Sequence, residues 1–188
     1  MAEYYLDIEV YSPKRRPDPK RDKVITIQYQ KIDMRTGKPR GDLKIMKEWE
    51  SSEEEIVKKF HDRFFKKQKT VWDFIPVGNN LNFEFEFMQE KFNKFCHTDY
   101  TSFNFHYNMP HFDIHPLLLI LNNGEFKGSG LHNFTGKKTS GVVIKDYYED
   151  QDYDKIIQYI EEETEAFLIF LQKIMGNSSK WLKDIVDV

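Results

Sequence analysis

A single cysteine, Cys96, stands in 188 residues. Disulfide stapling and multi-cysteine zinc sites are therefore excluded. A lone thiol fits a reducing compartment, so a cytoplasmic location is expected. Cys96 has only His97 beside it and no basic neighbour in sequence, so it gains no support as a catalytic thiol. No apolar run approaches the roughly 20 residues of a membrane helix, and no membrane partner is expected. The stretch Met1–Val10 already carries Glu3, Asp7 and Glu9, so no secretory leader is expected. The sequence also lacks a general basic excess, with a net charge of −3. That removes bulk attraction to nucleic acid but leaves local basic stripes open. Neither G-x-x-x-x-G-K nor G-x-S-x-G occurs, so a P-loop NTPase or an α/β-hydrolase has no support. No internal repeat or low-complexity tract is found.

What is present is an ordinary globular composition, 39% hydrophobic and 31% charged. The length suits one domain, here 1–176, with a helical extension over 177–188. Residues 3–11 alternate as a strand: Tyr4, Leu6, Ile8 and Val10 share one face, and Tyr5, Asp7 and Glu9 the other. A Pro-rich basic loop separates them from a second strand at 23–32. A third strand is expected near Leu43–Trp49. Ser52 and Glu55 have capping-box spacing and open a helix with the stripe Ile56, Val57, Phe60 and Phe64, closed by the cations of KKQK. TVWDFIPV reads as a buried fourth strand, followed by a helix from about Phe83 to Cys96. Residues 98–113 are ambiguous; 114–122 and 128–134 suit short helices. The longest helix runs from Tyr153 to Met175 and stops at Gly176, and a last one spans Trp181–Val186. This order predicts an α/β domain in which an antiparallel meander is joined to a parallel strand by a helical crossover.

Among 31 acidic residues, a few fall where a solvated acid is not expected. Asp7 and Glu9, at i and i+2 on a central strand, point the same way. Glu84 opens a helix just after a buried strand. Glu163 lies within roughly 20° of Ile156 and Ile174 on the helical wheel, at the edge of the buried stripe. Tyr159 lies one turn before it. Each alone has an ordinary reading: a chance D-x-E, a first-turn acid, a solvated EEETE face. Together they form an acidic cluster whose mutual repulsion a divalent cation removes. Two such ions about 4 Å apart clamp the attacking and leaving oxygens of a phosphodiester. A neighbouring tyrosine hydroxyl can orient or deprotonate the attacking water.

These motifs resemble those of the DEDD superfamily of 3′-5′ exonucleases. LDIEV at 6–10 is similar to the family's D-x-E strand. VGNNLNFEFEFM at 77–88 is similar to G-H-N-x-x-F-D-x-x-F-L, with Gly78, Asn80, Phe83 and Phe87 at matching positions and Met88 for Leu. YIEEE at 159–163 resembles the Y-x-x-x-D of the tyrosine branch. The matches span 6 to about 175. Three positions depart: Glu84 and Glu163 stand where the family has aspartate, and Asn79 where it has histidine.

The resemblance implies a ribonuclease-H-like three-layer fold, with a mixed five-stranded sheet flanked by helices. It implies two Mg²⁺ or Mn²⁺ ions at Asp7, Glu9, Glu84 and Glu163. Asp7, Glu9 and Glu163 would hold one ion, Asp7 would bridge to the second, and Glu84 would act through water. Tyr159 would orient the nucleophile, and all five side chains would be catalytic. The implied activity is 3′-5′ hydrolysis of single-stranded DNA or RNA from its 3′ end. Tyr11, Lys14, Arg15, Arg16, Asn80 and Phe83 are the candidate nucleic-acid contacts. The two longer acidic arms leave a second reading open, a catalytically inactive binding or assembly module of the same fold. A third is an interaction protein that docks through aromatic residues including Trp181. No protein partner or oligomeric state is assigned. HFDIH at 111–115 offers His111, Asp113 and His115 as a transition-metal trio, though a polar strand entry is the simpler reading. Further basic clusters, including Lys137–Lys138, read as solvated faces.

Overall fold

The computed structural model describes residues 1–14, 16–135 and 141–186, with side chains described to residue 176. β1 (Glu3–Tyr11) is central, because it is paired on both sides. β2 (Lys23–Asp33) runs antiparallel to it, and β5 (Ile75–Gly78) runs parallel. The parallel pairing requires a crossover, and α1 (Glu53–His61) supplies it. β6 (Phe112–Asp113) adds to β5, while β3 (Lys38–Pro39) and β4 (Lys44–Lys47) add to β2. The order is β3-β2-β1-β5-β6, with β4 also on β2. The sheet thus has six strands among the described residues rather than the expected five. β3 and β6 are two residues each, too short to carry an alternating pattern.

The alternation of β1 decides what lies on each side of the sheet. Leu6 and Ile8, with Tyr4 and Val10, pack into one core with α1 and α2 (Leu81–Cys96). On the other face, Tyr5 packs on Phe167 of α7 (Tyr153–Val186), and Tyr11 joins the cluster around Ile156 and Tyr159. Asp7 and Glu9 are held between those two apolar contacts. A register shift follows Glu9, which faces Thr26 while Val10 faces Val24. This bulge adds local twist beside the acidic pair.

The helices follow the sequence closely where the apolar stripe is strong. Ser52 caps α1 by accepting from the Glu55 N–H at 3.1 Å, and Ile56, Val57 and Phe60 are buried. The chain then continues through a π-helical turn at Asp62–Lys66. α3 (Ser102–His106) occupies part of the ambiguous stretch. α4 (His115–Leu121) and α5 (His132–Thr135) are the two short helices. α6 (Val143–Glu149) has no sequence counterpart, since Ile144 is its one buried residue and gives no periodicity. α7 does not stop at Gly176 but continues as one helix to Val186, so no separate helix begins at Trp181. A mid-helix glycine costs about 1 kcal/mol relative to alanine, which weakens a helix without ending it. The side chain of Trp181, and Arg15, Lys137 and Lys138 altogether, lie outside what is described.

Candidate metal centre and active site

Gly78 ends β5 where the chain must pass close to β1. A Cβ there would lie 2.8 Å from the Leu6 carbonyl oxygen. Asn80 follows in a left-handed conformation, φ 65°, which asparagine tolerates better than most residues. The Asp113 carboxylate then accepts from the Asn80 and Leu81 N–H groups at 2.8 and 3.0 Å. A carboxylate on the first N–H groups of α2 satisfies orphan donors and suits the helix dipole. Asp113 is therefore an anchor for α2. It does not join His111 and His115 as a metal trio, for His111 Nδ1 lies 3.0 Å from the Met109 carbonyl and His115 Nε2 3.4 Å from Ser129 Oγ.

So anchored, α2 turns Glu84 inward from its first turn. Glu84 is 4% exposed, and its Oε2 has no hydrogen-bond partner among the described residues. The rest of its carboxyl shares a hydrogen bond with Asp7. On α7 the face containing Ile160, Thr164 and Phe167 is buried, while Glu161, Glu162 and Glu165 face solvent. Glu163 sits at the border and meets the β1 acids. One carboxylate oxygen from each of Asp7, Glu9 and Glu163 lies within 4.8 Å of the others. The four acids thus come together from β1, α2 and α7.

Their charges act on one another. Burial, then the Glu163 charge, pushes the Asp7 carboxyl up from its ordinary 3.8 to about 7. Glu84 is raised well above the carboxylate range by burial and by Asp7. A hydrogen bond between two carboxyl groups needs a proton, so in the metal-free protein the Asp7–Glu84 pair carries one. Tyr159, also buried, is raised well above its ordinary value by burial and by the Glu9 and Glu163 charges, and it hydrogen-bonds Glu163. Its phenol remains protonated and acts as a donor, which favours orientation over proton removal. Its hydroxyl is 3.5 Å from where a Cβ on Gly141 would lie, so Gly141, just before α6, sits beside it.

A cluster of buried acids with one orphaned oxygen is the donor set that hard divalent cations take. The acids have a consequence measurable without substrate. A carboxyl whose folded pKa exceeds its unfolded value loses its stabilising contribution as pH rises through that interval. For Asp7 the interval runs from about 4 to about 7, and Glu84 extends it upward. His61, held below 6.5 by burial, works in the opposite direction, as one group set against the acidic pair. The chelated protein is expected to melt at a lower temperature at pH 8 than at pH 5, and Mn²⁺ at pH 8 should restore it. A melting temperature that rises with pH under chelation would contradict a metal-free acidic cluster.

The candidate nucleic-acid contacts are spread more widely. Lys14 and Arg16 are exposed in the β1–β2 loop. Tyr11 packs on Tyr148 with ring centres 4.8 Å apart and donates to Glu149, so its ring is engaged within the protein. Asn80 is exposed at the start of α2, while the Phe83 ring rests against Phe87. A groove of about 300 Å³ runs between the β1–β2 loop and α6, lined by Ser12, Lys14, Pro17, Gly141 and Lys145 among others. Through Gly141 it opens beside Tyr159. A larger cleft of about 420 Å³, between α1 and the end of α2, contains none of the four acids. Cys96 lines that cleft with its thiol raised by burial, the wrong direction for a nucleophile.

Sequence reasoning missed Tyr5, Thr26 and Gln28. Tyr5 and Gln28 donate to Asp7 Oδ2 at 3.2 and 3.0 Å. The signal was there: Thr26, Gln28 and Gln30 alternate as polar residues along an otherwise apolar strand, and all three are buried.

No family model matches the chain, and no curated protein matches it. Solved structures do. The exonuclease I–single-stranded DNA complex of E. coli in its zinc-bound form aligns with a TM-score of 0.64 at 10% identity, over 99% of this chain and 43% of that one. The E. coli exonuclease I complex with a dT13 oligonucleotide gives 0.63 at 10%, over 98% and 43%. The family B DNA polymerase of the hyperthermophilic archaeon Pyrobaculum calidifontis gives 0.64 at 16%, over 93% and 24%. The chain spans less than half the length of each. Likeness at these identities establishes the fold, which is ribonuclease-H-like.

Proposed function

We propose that this chain is a divalent-metal-dependent 3′-5′ exonuclease acting on single-stranded DNA or RNA. The observation that carries the reading is the meeting of Asp7, Glu9 and Glu163 within 4.8 Å, with Glu84 hydrogen-bonded to Asp7. Glu84 and Glu163 replace the family's aspartates and still bring their carboxyl groups to the cluster, so the added methylenes are absorbed by the placement of α2 and α7. Asp7, Glu9, Glu84 and Glu163 would hold two Mg²⁺ or Mn²⁺ ions. Such ions supply an activated water and stabilise the leaving oxygen. Tyr159 keeps its proton and orients the attacking water from beside Gly141. Lys14 and Lys145 line the groove and contact backbone phosphates without reading sequence. Arg16, Asn80 and Phe83 extend the strand's path, and Tyr11 contributes through its contacts with α6. The single free thiol suits a cytoplasmic location.

The test is a 5′-labelled single-stranded oligonucleotide, DNA and RNA in parallel, with Mg²⁺, with Mn²⁺ and with chelator. A ladder shortening from the 3′ end, abolished by chelator and absent with Asp7→Asn, is the expected result. Folded protein that yields no ladder with either metal would instead make the chain an inactive module of the same fold.

A further inference from the structure

We propose that Gln28, held by Thr26, is a positioning residue that presets the Asp7 and Glu9 carboxylates for metal capture; this rests on the metal-centre reading above. In the β1–β2 register Gln28 faces Asp7 and Thr26 faces Glu9. All four side chains therefore project from one face of the strand pair. Both β2 residues are fully buried, at 0% exposure. The Gln28 amide nitrogen donates to Asp7 Oδ2 at 3.0 Å and reaches Glu9 Oε1 at 3.5 Å, so one NH₂ group bridges the two acids. Its carbonyl oxygen accepts from the Thr26 hydroxyl at 2.9 Å. The carboxylates, which only accept, fix which way the amide points, since a reversed amide would set oxygen against oxygen. The Thr26 hydroxyl then donates to the amide oxygen and holds the side chain in that position.

The arrangement has two effects. It holds Asp7 Oδ2, already bonded by Tyr5, and so fixes the orientation in which the carboxylate meets a metal. It also places a fixed partial positive charge between two acids that otherwise repel. Partners of this kind, one bond behind the ligands, typically change metal affinity 10–100-fold when removed.

The test is Mn²⁺ binding at pH 8, read from the loss of the free-ion EPR signal, with circular dichroism to confirm folding. Gln28→Met keeps volume and removes both donors; it is expected to weaken Mn²⁺ binding by about 10- to 100-fold. Thr26→Val removes only the lock and should weaken binding by several-fold, and Thr26→Ser, which restores the hydroxyl, should bind as the wild type does. If Gln28→Met does not fold, the Thr26 pair decides the matter, since a merely structural role would not track the hydroxyl. Wild-type binding in Gln28→Met or in Thr26→Val overturns the positioning role and leaves the metal centre standing. No Mn²⁺ binding by the wild type overturns both, because nothing would then be positioned.

Discussion

Asp7→Asn is expected to lower 3′-end degradation by at least about 10³-fold while raising the melting temperature of the metal-free protein. Asparagine keeps the shape of the side chain and an oxygen that accepts from Tyr5 and Gln28, as Asp7 Oδ2 does now. What it removes is the charge that meets Glu9, Glu84 and Glu163. Metal capture depends on that charge, so activity falls. The metal-free fold is strained by it, so stability rises. The displacement of Asp7 from 3.8 to about 7 sets the scale: at about 1.4 kcal/mol per pH unit, its burial opposes folding near neutral pH by roughly 4 kcal/mol. Relaxation and solvent entry will reduce that figure, and a gain of about 1–3 kcal/mol at pH 8 is expected. The variant should also show a flatter melting temperature between pH 5 and pH 8 and little response to Mn²⁺. Thermal melts with and without chelator, run beside the oligonucleotide assay, check both halves. A variant as active as the wild type would place the hydrolysis elsewhere. A variant less stable than the wild type under chelation would mean the acids do not repel in the folded chain.

Much of this site was legible before any fold was known, and the reasons are physical. Asp7 and Glu9 were readable because strand alternation is strict: the apolar series from Tyr4 to Val10 fixed their common face. Glu163 was readable because the stripe of α7 fixed its angle. Glu84 was harder, since a first-turn acid is usually favourable without any ligand, and its inward turn depends on Asp113 holding α2 from β6. That contact spans more than 30 positions, and the local pattern gives no sign of it. Gln28 and Thr26 were missed for a similar reason, because their roles depend on the register with β1, which the bulge after Glu9 shifts. α6 was missed because its one buried residue, Ile144, gives no periodicity, and the run of α7 through Gly176 because a glycine weakens a helix without ending it. Of the basic stripe, Lys14 alone came to line the groove among the described residues, and its partner there, Lys145, comes from the unforeseen helix.

Lys91→Ala is expected to have the largest effect on stability, though Lys91 touches none of the four clustered acids. Its ammonium group is buried, with a side chain 3% exposed, between the Glu53 carboxylate at 2.8 Å and the Asp22 carbonyl at 2.5 Å. Glu53 in turn accepts from the Val24 N–H at 2.8 Å. One cation thus ties α2 to α1, to the first residues of β2 and to the end of the loop that carries Lys14 and Arg16. Removing it leaves a carboxylate 13% exposed without its counter-charge, and breaking a buried pair from one side costs about 3–5 kcal/mol. For a chain of this size that lowers the melting temperature by about 6–20 °C. The exposed Lys58–Glu54 pair on α1 provides the contrast, since water screens it and Lys58→Ala should leave the melting temperature nearly unchanged. The double variant Lys91→Met, Glu53→Gln should recover much of the loss, because glutamine still accepts from Val24 and no charge is left buried. Equal costs for Lys91→Ala and Lys58→Ala would show that water reaches the pair and that the loop is anchored by other contacts. A large loss that the double variant does not recover would assign the effect to the Asp22 carbonyl bond rather than to the ion pair. With Lys91→Ala, the loss of oligonucleotide degradation should follow the loss of folded protein, which separates this anchor from Asp7, whose replacement is expected to stop degradation in a protein that melts later.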